Sequence, residues 1–535
     1  MAERSGFGLP IAVDPRSEHA IARAATGITA FVGRTLKGPL HRPVRIAGLA
    51  EFQRIFGGLW QPSTLSYALE HYFDNGGRAA LVVRVANGAR PPTLSLPAGS
   101  GALRLVGVNP GSREYLRASV DYDGLPGHET DRFNLVLQRV RLPGTEQIED
   151  QEIFRGISIE VSSGRCVRDV LRESRLMRVE GAAPLARPDR TSSGSDGAVS
   201  YVGSKSDGDD GAPLSDYDVI GSAVEHTGVF ALDTDETFDL LCIPPLGREQ
   251  DVGLATLLVA ARLCRERHAM LVVDPPAQWS TASAALAAVR SWPFRSENAA
   301  MFFPRVTVFD RLRNRLETFG SAAAAAGMLA RGDHALPVWA PAEAEEPLLR
   351  PGMRLAATVS DLERARLAQA GINTLQSVRS LAGRSLCACT LAAEGSPDWR
   401  YLAERRLALF ILASVERGMR WLLAAPSNAV TWARAQGEVE RFLEELDREG
   451  AFAGSQPEDS YFVICDERVN RVETIAQGKT QLLLGIATAK PGAFHAWMIT
   501  YQAGRSRARP VAVNRLATSL QRVEREIEAS ILGSS

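Results

Sequence analysis

The feature that most constrains this chain is an alternation that begins near Asp216 and runs past Ala326. Short runs that are apolar at nearly every position, "FDLLCIPP", "AMLVVDPP" and "AAMFFPRVTVFD", alternate with "GLATLLVAARLCRER", "TASAALAAVRSW" and "GSAAAAAGMLAR". A run without polar alternation reads as a strand covered on both faces, and strands separated by helices read as parallel. The segment therefore predicts a doubly wound α/β domain.

The rest of the chain differs in pattern. The stretch "TLSYALEHYFDNGGRAALVVRV" (residues 64–85) predicts a helix, a stop at Asn75-Gly76-Gly77 and a buried strand. "AGLAEFQRIFGG" before it predicts a short helix with Phe52, Ile55 and Phe56 on one face. From 89 to 200 the strands become short and alternating, with Gly/Pro turns, as in "LRLVGV" and "RFNLVLQRV". That segment ends in a Ser/Gly/Asp-rich connector read as mobile and solvated. After Tyr401 come two helices, then strands "YFVICDE", "TQLLLGIATAK" and "AFHAWMITY".

At 535 residues the chain exceeds one ordinary core, so several domains are expected. With 61 basic and 62 acidic residues and no basic block, nucleic-acid binding is not expected. The six cysteines are scattered, which predicts reduced thiols rather than a disulfide framework. "MAERSGFGLPIAVDPRSEH" has no apolar core of a secretory signal. No apolar run approaches the ~20 residues of a membrane span, so no direct membrane insertion is expected.

Catalytic constellations are weak. Asp274 and Asp310 are read at carboxyl ends of parallel strands, where α/β proteins place active sites. His226 and Ser321 could complete a Ser/His/Asp set, but no G-x-S-x-G elbow accompanies them. The alanines after Ser321 fit close helix–sheet packing better. Cys387-Ala-Cys389 lacks two further metal ligands nearby. "DGDDG" at 207–211 lacks the ligand spacing of a calcium loop. No catalytic residue, cofactor or metal is expected.

Four passages carry a family resemblance. "FVGRTLKGP", "FGGLW" and "LSYALEHYFDNGGRAALVVRV" resemble the N-terminal signature of contractile tail sheath proteins of phages and phage-tail-like injection systems. "DYDVIGS…HTGVFALDTDETFDLLCIPP" resembles the start of that family's subtilisin-like domain. Residues 370–435, from "AGINTLQSVRS" to "VTWARA", resemble its most distinctive passage. "FLEELDREGAFAG…YFVICDE…GKTQLLLGIATAKPGAFHAWMI" resembles its C-terminal domain. The passages occur in order over most of residues 26–500.

The resemblance implies a multidomain α/β and α+β fold. It would comprise an N-terminal extended arm (1–25), an N-terminal αβ segment (26–88), a β-rich inserted domain with mobile connector (89–200), a subtilisin-like α/β domain (201–400), a C-terminal α+β domain (401–501) and an extension with an amphipathic helix (502–535). The 26–88 and C-terminal segments would form one composite unit. The implied function is structural: a non-enzymatic subunit that polymerises helically around an inner tube and contracts to drive it through a target envelope. Its partners would be further copies, the inner tube protein, and baseplate and terminal cap proteins. Assembly would be cytoplasmic, with release by lysis as part of a particle. The alternative is an α/β hydrolase-like or nucleotide-binding enzyme with decorating domains.

Three surfaces are expected to make contacts. Pro10, Ile11 and Val13 of the arm, with Phe494, Trp497 and Ile499 of a strand lacking an evident local partner, would pair with neighbouring subunits. Glu440, Glu444 and Glu445 lie in an acidic stretch, Glu438–Glu449, that would meet a basic strip on the tube or form a solvated helix face. Leu516, Leu520, Val523 and Ile527 belong to one apolar stripe of a C-terminal helix, read as a docking helix or as packed on its own subunit, with Ser506–Pro510 as hinge.

Overall fold

The computed structural model describes residues 20–193, 198–205, 207–340, 348–376, 388–392 and 399–512. Its centre is a seven-stranded sheet. In spatial order the strands are Ile372–Thr374, Ala299–Phe303, Met270–Val273, Leu240–Cys242, Ile28–Gly33, Ala79–Arg84 and Val44–Ile46. All neighbours are parallel except the last pair. Alternate residues of the apolar runs go to opposite faces. Ala30, Leu271 and Met301 enter one core; Phe31, Met270 and Val272 enter the other. Helices Leu254–Glu266, Ala282–Val289 and Asp361–Gln369 cover the first face, and Thr64–Asp74 and Ala322–Ala335 the second.

The helix Thr64–Asp74 starts at Ser63, whose hydroxyl accepts the Ser66 amide at 3.1 Å, and the chain turns away at Gly76 with φ 108°. Its aromatics are core. Tyr67 and Tyr72 are buried, and the Tyr72 hydroxyl donates to the carbonyls of Ala79 (2.8 Å) and Gly27 (3.1 Å). The alanine helix is small for a reason: Ala322 through Ala326 are buried, and a Cβ at Gly327 would fall on the Tyr72 carbonyl oxygen.

Residues 93–203 form a four-stranded and a three-stranded antiparallel sheet around a separate core that includes Leu96, Leu105, Phe133 and Leu137, with a further short pair of strands at Ser192–Ser193 and Ala198–Val199. The third unit is a four-stranded antiparallel sheet, Tyr461–Ile464, Lys479–Ile486, His495–Gln502 and Arg505–Val511. Helices Leu402–Gly418 and Ala429–Arg448 pack on one face through Val463, Leu482 and Trp497. Phe462, Ile464, Leu483 and Met498 form a second apolar cluster on the other.

Several expectations need correction. The strands of residues 26–88 lie inside the central sheet, because the "ALVVRV" and "ITAFVG" runs are apolar on both faces, and the core on their second face also takes in Leu402 and Leu409 of the C-terminal helix. Among the described residues of the N-terminal stretch, Ile21 and Ala24 reach the C-terminal core, where Ile21 is buried and the Ala24 amide donates to the Ser414 hydroxyl at 2.9 Å. "AAMFFPRVTVFD" is two strands. Ala299–Phe303 stays in the central sheet, whereas Val306–Asp310 pairs antiparallel in a small sheet of its own. The acidic connector is fastened along 207–211. Asp207 accepts from the Thr93 amide (2.9 Å) and hydroxyl (2.6 Å), Asp210 does the same for Ser112 (2.8 and 2.7 Å), and Arg34 donates to the Asp210 and Gly211 carbonyls (2.9 and 2.6 Å).

The strand carrying Trp497 and Ile499 is no open edge. It is hydrogen-bonded to Lys479–Ile486 on one side and Arg505–Val511 on the other, and Phe494, Trp497 and Ile499 are all buried. Ser506–Pro510, read as a hinge, is the body of that outer strand.

Candidate functional site

The carboxyl end of the central sheet is the first place to look for chemistry. Asp274 follows Met270–Val273 and accepts the Ala322 amide at 2.7 Å, at the start of the alanine helix. Burial pushes its carboxyl up to about 6, against the pull of that amide and of Arg305. The cavity beside it measures about 20 Å³, room for about one water. Ser321 donates its hydroxyl to the Phe302 carbonyl at 2.5 Å, so that proton is engaged by the backbone. His226 sits on an exposed turn with φ 52° and does not line the cavity. His71 does line it, but burial first and Arg248 second push its imidazole down to about 4, and its ring packs edge-on against Phe319.

Asp310 lies outside this arrangement. It accepts from Tyr67 (3.0 Å), Arg248 (3.0 Å) and the amides of Leu312 (2.9 Å) and Arg313 (3.2 Å). These bonds and Arg248 hold its carboxyl below the usual range although burial opposes them. The group ties the small sheet to the Thr64–Asp74 helix. The residues offered for a Ser/His/Asp set are thus not assembled into one. Cys389 is buried, and Cys387 lies outside the described residues. Among the described residues no group of three or more potential metal ligands occurs, and no helix is long and apolar enough to cross a membrane.

The sequence reading missed a set of charges that joins the central body to the C-terminal helices. Arg405 donates to Asn298 (2.6 Å) and Glu297 (3.2 Å). Arg406 bridges Asp333 (2.8 Å) and Asp239 (2.9 Å), and Asp239 also accepts the Ile28 amide at 2.7 Å. Burial disfavours the Arg406 charge, but Asp333 and Asp239 outweigh it and raise its pKa above the ordinary value. His268 meets Glu416 at 2.8 Å. The available signal was "AERRLALFILAS", two arginines opening a helix whose other positions are nearly all apolar.

The surfaces expected to make contacts fare unevenly. Pro10, Ile11 and Val13, and Leu516, Leu520, Val523 and Ile527, lie outside the described residues. On Ala429–Arg448, Glu444 and Glu445 are exposed and Glu440 is half-buried. The acidic face is smaller than the sequence suggests. Glu438 is buried under Trp421 and Arg434, Glu444 pairs with Arg448 at 2.9 Å, and Glu449 accepts from Arg23 at 3.0 Å. The outer strand Arg505–Val511 was also missed. It presents Arg505, Arg507 and Arg509 outward at alternate positions, with the smaller Ser506 and Ala508 less exposed between them.

This architecture, a central sheet covered on both faces, a β insert, and an antiparallel sheet behind two helices, is the fold of contractile-sheath proteins. The likeness extends to particular structures. The sheath of the extracellular contractile injection system PVC, in its contracted state, is 15% identical with a TM-score of 0.51 over 97% of this chain and 99% of that one. The sheath tail protein Lin1278 from Listeria innocua is 12% identical with a TM-score of 0.56 over 91% and 97%. The helical sheath of the anti-feeding prophage, also contracted, is 17% identical with a TM-score of 0.50 over 91% and 97%. No protein-family model matches the sequence, and no curated protein matches it. At these identities the likeness is one of fold.

Proposed function

We propose that the chain is the structural subunit of a contractile sheath. Copies stack helically around an inner tube and shift from a long, metastable arrangement to a shorter, wider one that drives the tube through a target envelope. The observation that carries this is the near-complete, end-to-end match to a sheath subunit in its contracted state. The ordered sequence resemblance supports it independently. The mechanism needs two discrete packings of rigid bodies, not continuous stretching. Head-to-tail contacts that do not close generate such helices.

Within this reading, residues 201–400 are a subtilisin-like domain in fold only, and the domain limits are those drawn from the sequence, with residues 26–88 reassigned to the central sheet. Partners are further copies, the inner tube protein, the baseplate and a terminal cap. Assembly is cytoplasmic, and lysis releases the particle. The arm carrying Pro10, Ile11 and Val13 pairs with a neighbour's C-terminal sheet, whose outer strands are Tyr461–Ile464 and Arg505–Val511. Glu440, Glu444 and Glu445 face the tube, and the stripe of Leu516, Leu520, Val523 and Ile527 docks on a neighbour or an accessory protein. The hydrolase-like or nucleotide-binding alternative has no supporting geometry among the described residues. Deleting residues 2–19 tests the reading: the subunit should stay folded and soluble yet fail to form sheath. Normal sheaths from the deletion would remove the arm from the mechanism.

A further inference from the structure

We infer that the crevice between the central body and the C-terminal sheet is a docking slot for an acidic protein segment. The crevice encloses about 860 Å³. It is lined by the ends of helices Ala282–Val289 and Asp361–Gln369, by residues around Arg400–Glu404, and by Ala489–Lys490 beyond the strand Lys479–Ile486. Four cations from these four segments converge there: Arg290, Arg366, Arg400 and Lys490. All four are exposed, and none makes an ion pair among the described residues. Arg295 lines the crevice too, but it is committed to the fold, donating to the Val289 (2.7 Å) and Phe294 (3.2 Å) carbonyls. The one acid among the described residues of the lining is Glu404, whose carboxyl burial pushes above its ordinary value.

A plainer account covers part of this. Arg290 and Arg366 sit at helix carboxyl ends, where a positive charge is favourable by itself. It does not cover Arg400 or Lys490, nor why four cations with no ion pair among the described residues line one opening in a chain of net charge −1. The chemistry of the lining favours a linear partner. Small-molecule pockets are lined mainly by apolar groups with a few well-placed polar ones. Here the charges are exposed side chains on separate segments, suited to a succession of carboxylates on an extended chain. Because the lining comes from both bodies, an occupant would also clamp them together.

The test uses the full-length chain and a fluorescent hexaglutamate peptide, and its outcome does not depend on whether the chain forms a sheath. At low salt the peptide should bind, and raising ionic strength to about 0.15 M, where the Debye length is about 8 Å, should weaken it at least about tenfold. The double variant Arg366→Glu with Arg400→Glu should lose at least about tenfold more than Arg262→Glu, which reverses a charge on an exposed helix face outside the crevice. No peptide binding at low salt would overturn the proposal. So would equal losses in the control variant. Displacement by inorganic phosphate, or by oligothymidylate at equal charge concentration, would show a generic anion or nucleic-acid site and overturn it as well.

Discussion

Asp274 occupies the position where an α/β enzyme would keep a catalytic carboxylate, and its environment makes a quantitative prediction. Its carboxyl is raised from 3.8 to about 6, chiefly by burial. A folded-state value above the unfolded one means that the folded chain binds the proton more tightly, so stability falls as pH rises between the two values. At ~1.36 kcal/mol per pH unit, the upward shift corresponds to about 3 kcal/mol. Part of the side chain borders the small cavity and keeps some exposure, which lowers the cost, so about 1–3 kcal/mol is the working range. Asp274→Asn removes the ionisation and keeps an oxygen for the Ala322 amide. The variant's stability relative to wild type should therefore rise by about 1–3 kcal/mol between about pH 4 and pH 6 and stay level above that. Urea denaturation followed by the fluorescence of Trp279 and Trp292, which pack in the same body, measures this. On the proposed structural role the variant should also assemble normally. A stability difference that is flat across this pH range would refute the electrostatic reasoning.

Other expectations follow from the packing. Gly327→Ala should cost about 1–3 kcal/mol and lower the melting temperature, because the added methyl has the Tyr72 carbonyl in its place. Arg406→Met should cost about 3–5 kcal/mol in urea denaturation by stranding Asp239 and Asp333 as a buried acid pair. Truncation after Ala512 removes the stripe containing Leu516 and Ile527 but spares the outer strand; the monomer should keep its melting temperature while polymers lose stability to dilution. Reversing Glu444 and Glu445 to lysine should give sheaths that contract early or assemble without tube, visible by microscopy; unchanged particles would place that face in open solvent.

What was legible depended on how local the signal was. The runs "LLC", "MLVV" and "AAMFF" have no polar alternation, so two covered faces and parallel pairing could be read directly. The extension of that sheet by Ile28–Gly33, and through it by Ala79–Arg84, could not, because Leu240–Cys242, the partner of Ile28–Gly33, lies beyond the whole β insert. Pro304-Arg305 separates Phe303 from Val306, yet the apolar runs on both sides of it read as one strand and hid a change of sheet. The connector looked solvated because its composition is acidic, but Asp207 and Asp210 bind backbone amides, a role that composition does not reveal. Arg505–Val511 lacks large apolar residues, so only its period of two and the preceding Gly504 turn marked it as an edge strand. Ser321 illustrates the reverse case: a residue type suited to catalysis whose hydroxyl is used by Phe302.

The central claim is that this chain is built to polymerise. The most direct measurement is negative-stain electron microscopy of the purified full-length chain, alone and coexpressed with the tube protein proposed as its partner. The account predicts stacked rings or helical tubes, with long and contracted forms among those assembled on a tube. A monodisperse particle of a few chains under both conditions would contradict it.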